Sequence, residues 1–183
     1  MDGFRKLTET EIWRSPLLRL TKGRFVSPGG EEFERDIVHH PGAVVVVPMV
    51  DDHRAVVVRQ YRAAIDAELL ELPAGKRDVD GEAPEVTAAR ELNEEVGRSA
   101  GRLDLLARFY NSPGFSDELS HVYLARDLSK VGNDLQGIEE RHMQEEEISL
   151  DDLDDLLASG AIVDAKTIIG LTLAARALRG GTA

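Results

Sequence analysis

The chain of 183 residues carries 34 acidic and 22 basic side chains, a formal net charge of −12, and 42% hydrophobic residues. That is enough apolar material for one domain with a real core, or one domain with a small appendage. A surface so acidic opposes nonspecific binding to nucleic acid or anionic membrane, both polyanions, and the absence of cysteine excludes disulfides, thiolate zinc sites and a cysteine nucleophile.

Residues 1–40 read as an N-terminal region of short antiparallel strands ahead of a main domain over residues 41–183. Met1 to Leu7 is charged and lacks a signal-peptide hydrophobic stretch. No apolar run approaches the ~20 residues that span a bilayer, so a cytoplasmic protein without membrane partners is expected. Leu17 to Phe25 partly alternates, Ser27-Pro28-Gly29-Gly30 is a turn, and Glu32 to Val38 a strand. Ala43 to Met49 and Ala55 to Arg59 are apolar strands separated by Asp51-Asp52-His53-Arg54. The continuous β-branched run Val44 to Val47 suits a strand covered on both faces. After Leu69 to Leu72 comes Pro73-Ala74-Gly75 and a polar loop. Pro84 then opens a helix, Glu85 to Val96, that stops at Gly97. Strands resume at Leu103 to Tyr110 and Ser120 to Ala125, residues 129–144 form a polar loop, and helices follow at Leu150 to Ala158 and Asp164 to Leu178. Mixed strands with helices inserted and last predict an α+β chain, an α/β/α sandwich rather than a doubly wound sheet. His39, His40, His53, His121 and His142 make no H-x-x-x-H spacing.

The segment Gly75 to Gly97 is the most informative. With Glu91 as angular reference and ~100° per residue, Glu94 lies about −60° and Glu95 about +40° away, so three carboxylates share an arc of roughly 100°. Ala88, Ala89, Leu92 and Val96 occupy the adjacent apolar arc. Like charges at i, i+4 destabilise a helix, and a hard cation accepting oxygen ligands would remove that repulsion. Taken alone, the three glutamates of so acidic a chain read as an ordinary solvated face.

The surrounding residues go further. Gly75, Glu82, Arg90, Glu91, Leu92, Glu94, Glu95 and Gly97 fall in the order of the motif G-x5-E-x7-R-E-U-x-E-E-x-G-U, where U is apolar. The segment resembles the Nudix box. Six residues instead of five separate Gly75 from Glu82, and Arg98 stands where an apolar residue is usual. The extra residue falls in the loop, so a longer turn is expected rather than lost chemistry. The resemblance implies a Nudix-type α/β/α sandwich with a mixed sheet. It implies that Glu91, Glu94 and Glu95 bind metal, that Ala74 offers a backbone carbonyl to it, that Arg90 orients the glutamates, and that Glu82 supports them from the loop. The implied cofactor is Mg²⁺, with Mn²⁺ as its substitute.

Arg59-Gln60-Tyr61-Arg62, Glu71-Leu72-Pro73-Ala74-Gly75 and Ser112-Pro113-Gly114-Phe115-Ser116-Asp117-Glu118 resemble the ADP-ribose pyrophosphatase branch, as does the interval from Gly97 to Pro113. This implies a small nucleoside diphosphate substrate. Arg62 and Arg59 would face phosphate, since guanidinium pairs bidentately with it. Pro113 and Gly114 would let backbone approach the substrate, and Phe115 and Glu118 join the substrate residues. Members of this branch often carry the catalytic base on a loop beyond the box. Glu139 and Glu140 stand in the matching region, with Glu145 to Glu147 and a box glutamate, Glu94, as further candidates. Trp13, Phe25 and Tyr61 are candidates for an adenine slot, with Trp13 fitting the core as well, and related enzymes often dimerise through the N-terminal strands. The expected reaction is metal-dependent hydrolysis of ADP-ribose to AMP and ribose 5-phosphate by a homodimer. The alternatives are another nucleotide sugar or a dinucleotide as substrate, or a non-catalytic ADP-ribose-binding module.

Overall fold

The computed structural model describes residues 3–132 and 140–180, with only the backbone of Glu140. The chain forms two compact units. Met1–Gly42 and Phe109–Leu119 make the first, Ala43–Arg108 and Ser120–Ala183 the second. The division expected at residue 40 therefore falls after Gly42, and residues 109–119 leave the main domain for the smaller unit. Their pairing explains why. Val38 donates its N–H to Phe115 O (2.7 Å), Asp117 donates its N–H to Val38 O (3.2 Å), and His39 Nδ1 meets Asp117 Oδ2 at 2.5 Å.

The first unit is built on three antiparallel strands, β1 (Arg5–Arg14), β2 (Arg19–Val26) and β3 (Glu32–His39), in the order β1-β2-β3. β1 is charged and exposed almost throughout, so neither face shows the apolar alternation by which a strand is recognised. Trp13, 54% exposed on β1, is not core. Phe25 and Phe33 stack with ring centroids 5.5 Å apart.

The second unit contains β4 (Ala43–Pro48), β5 (Arg54–Arg62), β6 (Ala67–Glu71), β7 (Ala74–Lys76), α1 (Pro84–Val96), β8 (Arg98–Tyr110), β9 (Leu119–Lys130), β10 (Gln144–Ser149), α2 (Leu153–Ala158) and α3 (Ala165–Gly180), β8 and β9 beginning or ending at the first unit. One sheet has the order β7-β4-β9-β8, with β4 and β9 parallel; a second runs β10-β5-β6. The β-branched run in β4 is wholly buried. Val44 and Val46 pack with Ala88, Leu92 and Val96 of α1, whereas Val47 lies against Gly170 of α3. Alternate residues of one strand thus meet helices on opposite faces, which is the sandwich expected from the sequence.

α1 begins with Pro84 at its first turn and ends on Gly97, whose left-handed φ of 59° lets its N–H return to Asn93 O and Leu92 O. α3 is capped by Asp164. Its Oδ2 accepts the Thr167 N–H and hydroxyl, both at 2.8 Å, and Thr167 Oγ1 in turn accepts the Leu72 N–H at 2.8 Å. This chain of bonds ties the start of α3 to the segment leading into β7. Among the described residues no helix is long and apolar enough to cross a membrane.

Burial pushes the Asp164 carboxyl up, but the bonds from Lys166 and Thr167 outweigh it and hold it below its ordinary value. Its stabilising contribution is therefore full above the unfolded-state pKa and is lost as pH falls through the lower folded value. Asp164→Ala should lower stability by about 0.5–2 kcal/mol near pH 7, as for other helix caps. The gap between variant and parent, read from urea midpoints, should narrow below about pH 4.

Candidate active site

The site is built on α1 and on the turn from β6 into β7. α1 buries Thr87, Ala88, Leu92, Glu95 and Val96, whereas Ala89 is exposed. The buried arc is thus rotated towards the carboxylates, relative to the one read from the sequence. Glu95 is 8% exposed and the Glu91 side chain 12%, so these two face inward and Glu94, 20% exposed, stands at the rim.

Each carboxylate has a protein partner. Arg90 Nη1 lies 2.8 Å from Glu91 Oε1 and 2.9 Å from Glu94 Oε2, and its Nη2 reaches Glu82 Oε2 at 3.5 Å and Asp78 Oδ1 at 3.9 Å. Glu95 Oε2 accepts the Ala74 N–H at 3.0 Å. Burial, with Glu94 adding repulsion against the pull of Arg90, pushes the Glu91 carboxyl up to about 7. The Thr87 hydroxyl and Arg90 hold Glu82 below its ordinary value against the cost of burial.

Gly75 fits against Glu91 directly. A Cβ there would stand 1.8 Å from the Glu91 carboxyl carbon, so only glycine lets the β7 backbone and this side chain share the space. Arg98, at the position where the motif usually has an apolar residue, is buried and ion-pairs with Glu145.

The donor set is all oxygen and suits a hard divalent cation. Among the described residues no group of three or more histidines, aspartates or glutamates is placed to hold one ion, so Glu91, Glu94 and Glu95 do not converge as a ready-made triple ligand. Mg²⁺ does not require that, since it is commonly held by one or two carboxylates and completed by water and substrate phosphate. The inward, mutually repelling carboxylates fit such a partial site.

Of the other expected residues, Arg62 pairs side-on with Glu71 at 2.7 and 2.6 Å, and Arg59 donates to Glu146 at 2.7 Å. Glu145, Glu146 and Glu147 each meet a different arginine, Arg98, Arg59 and Arg54. All three are thus ion-paired, as Glu94 is with Arg90. Glu139 lies outside the described residues, as does the side chain of Glu140. Pro113, Gly114, Phe115 and Glu118 belong to the first unit. There Pro113 to Asp117 line a cavity of about 230 Å³ with Phe25, Arg35 and Ile37. Glu118 faces His40 Nδ1 at 3.8 Å. In the second unit, a cavity of about 480 Å³ lined by His53, Arg102 and Arg126 takes in none of the helix carboxylates. Tyr61 is turned to Asp66, 2.8 Å from its hydroxyl. Glu71, 1% exposed, is a residue to which the sequence reading gave no role. The signal was present as a lone charge between Leu69, Leu70 and Leu72.

The NUDIX domain matches residues 39–169. The chain belongs to the NUDIX family. It is 41% identical over 163 residues to an ADP-ribose pyrophosphatase of Bacillus subtilis, covering 89% of this chain and 88% of the relative. It is 37% identical over 180 residues to an ADP-ribose pyrophosphatase of Mycobacterium tuberculosis, covering 98% and 86%. A crystal structure of an ADP compounds hydrolase superposes with a TM-score of 0.85 at 25% identity, over 99% of this chain and 97% of that one. The NUDIX match includes α1, the Gly75 contact and the Arg62–Glu71 pair, all within the second unit.

The Gly75 contact makes this NUDIX site sensitive to a single methyl group. Gly75→Ala must displace Glu91, and a shift of about 1 Å in a catalytic group typically costs about 10²-fold. Turnover should fall by that order while circular dichroism shows an unchanged fold. Turnover within threefold of the parent would mean that Glu91 has no part in the reaction.

Proposed function

We propose that this NUDIX protein is a divalent-metal-dependent pyrophosphohydrolase that cleaves ADP-ribose to AMP and ribose 5-phosphate. The observation that carries the reading is the carboxylate face of α1, gathered by Arg90 and closed against Gly75. Similarity to ADP-ribose pyrophosphatases over most of the chain supports the substrate.

Glu91 with Glu94 or Glu95, and the carbonyl of Ala74, would hold Mg²⁺, or Mn²⁺ in its place. The ion supplies neutralising charge for the diphosphate and acidifies water. Arg62, with Arg59, binds and orients the phosphates through guanidinium forks. Glu139 or Glu140 takes a proton from the attacking water. The water oxygen bonds to one phosphorus as the bridging P–O bond breaks, and the leaving phosphate departs with its oxygen. Pro113, Gly114, Phe115 and Glu118 remain candidate substrate residues on the resemblance of segment 112–118 to the ADP-ribose pyrophosphatase branch. Phe4, Ile12 and Trp13 are exposed on or next to β1, which supports a homodimer through the N-terminal strands. The net charge of −12 supports small-molecule rather than nucleic-acid or membrane partners.

A substrate panel tests this. With Mg²⁺, ADP-ribose should be cleaved to AMP and ribose 5-phosphate faster than nucleoside triphosphates, and a chelator should abolish the reaction. A preference for another nucleotide sugar or a dinucleotide would correct the substrate alone. Binding of ADP-ribose without turnover would replace the enzyme with a binding module.

The base is tested by comparing Glu139→Gln with Glu140→Gln under titrated Mg²⁺. General-base catalysis contributes about 10²–10⁴-fold. One variant should lose that much rate at saturating Mg²⁺ with substrate affinity retained. If neither falls tenfold, the base lies elsewhere, with Glu145 to Glu147 or Glu94 next in line.

A further inference from the structure

Glu71 ends β6 and is closed off from solvent. A carboxylate in that position persists only when paired and hydrogen-bonded. Its partner comes from an unexpected direction. In the β5–β6 register Val58 stands opposite Glu71 and Arg62 opposite Ala67, so Arg62 and Glu71 occupy the same face at opposite ends of the ladder. The Arg62 side chain must lie back along its own strand to bring Nε to Glu71 Oε1 at 2.7 Å and Nη2 to Oε2 at 2.6 Å.

The guanidinium is thereby carried away from the β5–β6 turn, where its backbone sits, to the Glu71 carboxylate. There Glu71 dominates the field that keeps it protonated, with Glu95 and Asp164 adding to it. The side-on fork uses Nε and Nη2. Among the described residues Nη1 has no hydrogen-bond partner, and the side chain is 38% exposed. On the other flank of Glu71, Lys166 Nζ lies 3.9 Å from Oε2 and 2.6 Å from Asp164 Oδ1, so the buried carboxylate sits between two cations.

We propose that Glu71 is a positioning residue for the substrate: it draws the Arg62 guanidinium back along β5 and fixes it edge-on at the end of β6, where the chain turns into β7, so that Nη1 meets an oxygen of the diphosphate. This rests on the pyrophosphohydrolase reading and deepens it. An arginine at the end of a strand would otherwise sample many rotamers in water. The buried carboxylate orders it in advance, so less freedom is lost when the phosphate binds. Lys166 balances Glu71 so that the pair does not cancel the free edge of Arg62. Glu71 acts through Arg62 and touches no reacting atom.

The test combines kinetics with a readout that needs no substrate. Glu71→Gln keeps the size of the side chain but loses the charge-matched fork. KM for the hydrolysed substrate should rise about 10–100-fold, the range of one charge-assisted hydrogen bond, with kcat within about threefold. The Arg62 Nε–H signal in nitrogen-edited NMR, slowly exchanging in the parent, should exchange with water. Arg62→Lys leaves Glu71 a cation but no fork. It should raise KM to the same extent with little change in Tm, and it decides the matter if Glu71→Gln does not fold. The double variant should be no worse than Arg62→Lys alone. A KM within twofold of the parent in either single variant, an unchanged Arg62 signal in Glu71→Gln, a loss confined to kcat, or multiplying losses in the double variant would overturn the proposal. If the parent hydrolyses no nucleoside diphosphate derivative, the functional reading fails separately. Calorimetric binding of ADP-ribose then decides: tenfold weakening in Arg62→Lys upholds the positioning role, and unchanged affinity or no binding to the parent overturns it.

Discussion

Two carboxylates turned inward on one helix, with a third at the rim, repel one another, and α1 holds them together through Arg90 at Glu91 and Glu94 and the Ala74 N–H at Glu95. The Arg90 guanidinium touches Glu91 and Glu94 with one nitrogen and Glu82 with another. The compensation is incomplete. Burial still pushes the Glu91 carboxyl up to about 7, so a cation beside it would favour its charged form. That preference, at a spot where Gly75 leaves no room for a competing side chain, supports the proposal that this face takes up a hard cation.

The rest of the second unit supports this arrangement from behind. Leu72 is bonded to Thr167, Pro73 O accepts the Val46 N–H at 2.9 Å, and Ala74 is bonded to Glu95. One short segment is thus tied in succession to α3, to β4 and to α1. A backbone pinned at three consecutive residues presents its carbonyls in one geometry, which a loop free in water does not.

The acidic excess of the chain is handled by pairing. Glu145, Glu146 and Glu147 stand on one strand and meet arginines from three places, Arg98 after α1, Arg54 at the start of β5 and Arg59 within it. Alternation along β10 separates their side chains, so like charges adjacent in sequence do not confront each other. The same logic inside the protein surrounds Glu71 with Arg62 and Lys166. The inward pair on α1 is partnered as well, Glu91 by Arg90 and Glu95 by the Ala74 N–H.

Periodicity and punctuation made much of this visible in the sequence. The buried run Val44 to Val47, the helix from Pro84 to Gly97 with its glycine stop, and the motif order from Gly75 to Gly97 are local facts, set by hydrophobic spacing, backbone preference and residue identity within a few turns. β1 and β7 were not legible, the first because it is exposed on both faces and the second because three residues carry no period. Tertiary structure alone decided that α1 buries Thr87 and exposes Ala89, that residues 109–119 pair with β3, and that Arg62 points back towards Glu71 rather than outward from its strand. Each depends on a partner distant in sequence. Which face of a helix turns inward, and which carboxylate captures an arginine, is settled by the balance of desolvation against pairing, and that balance exists only once the chain has folded.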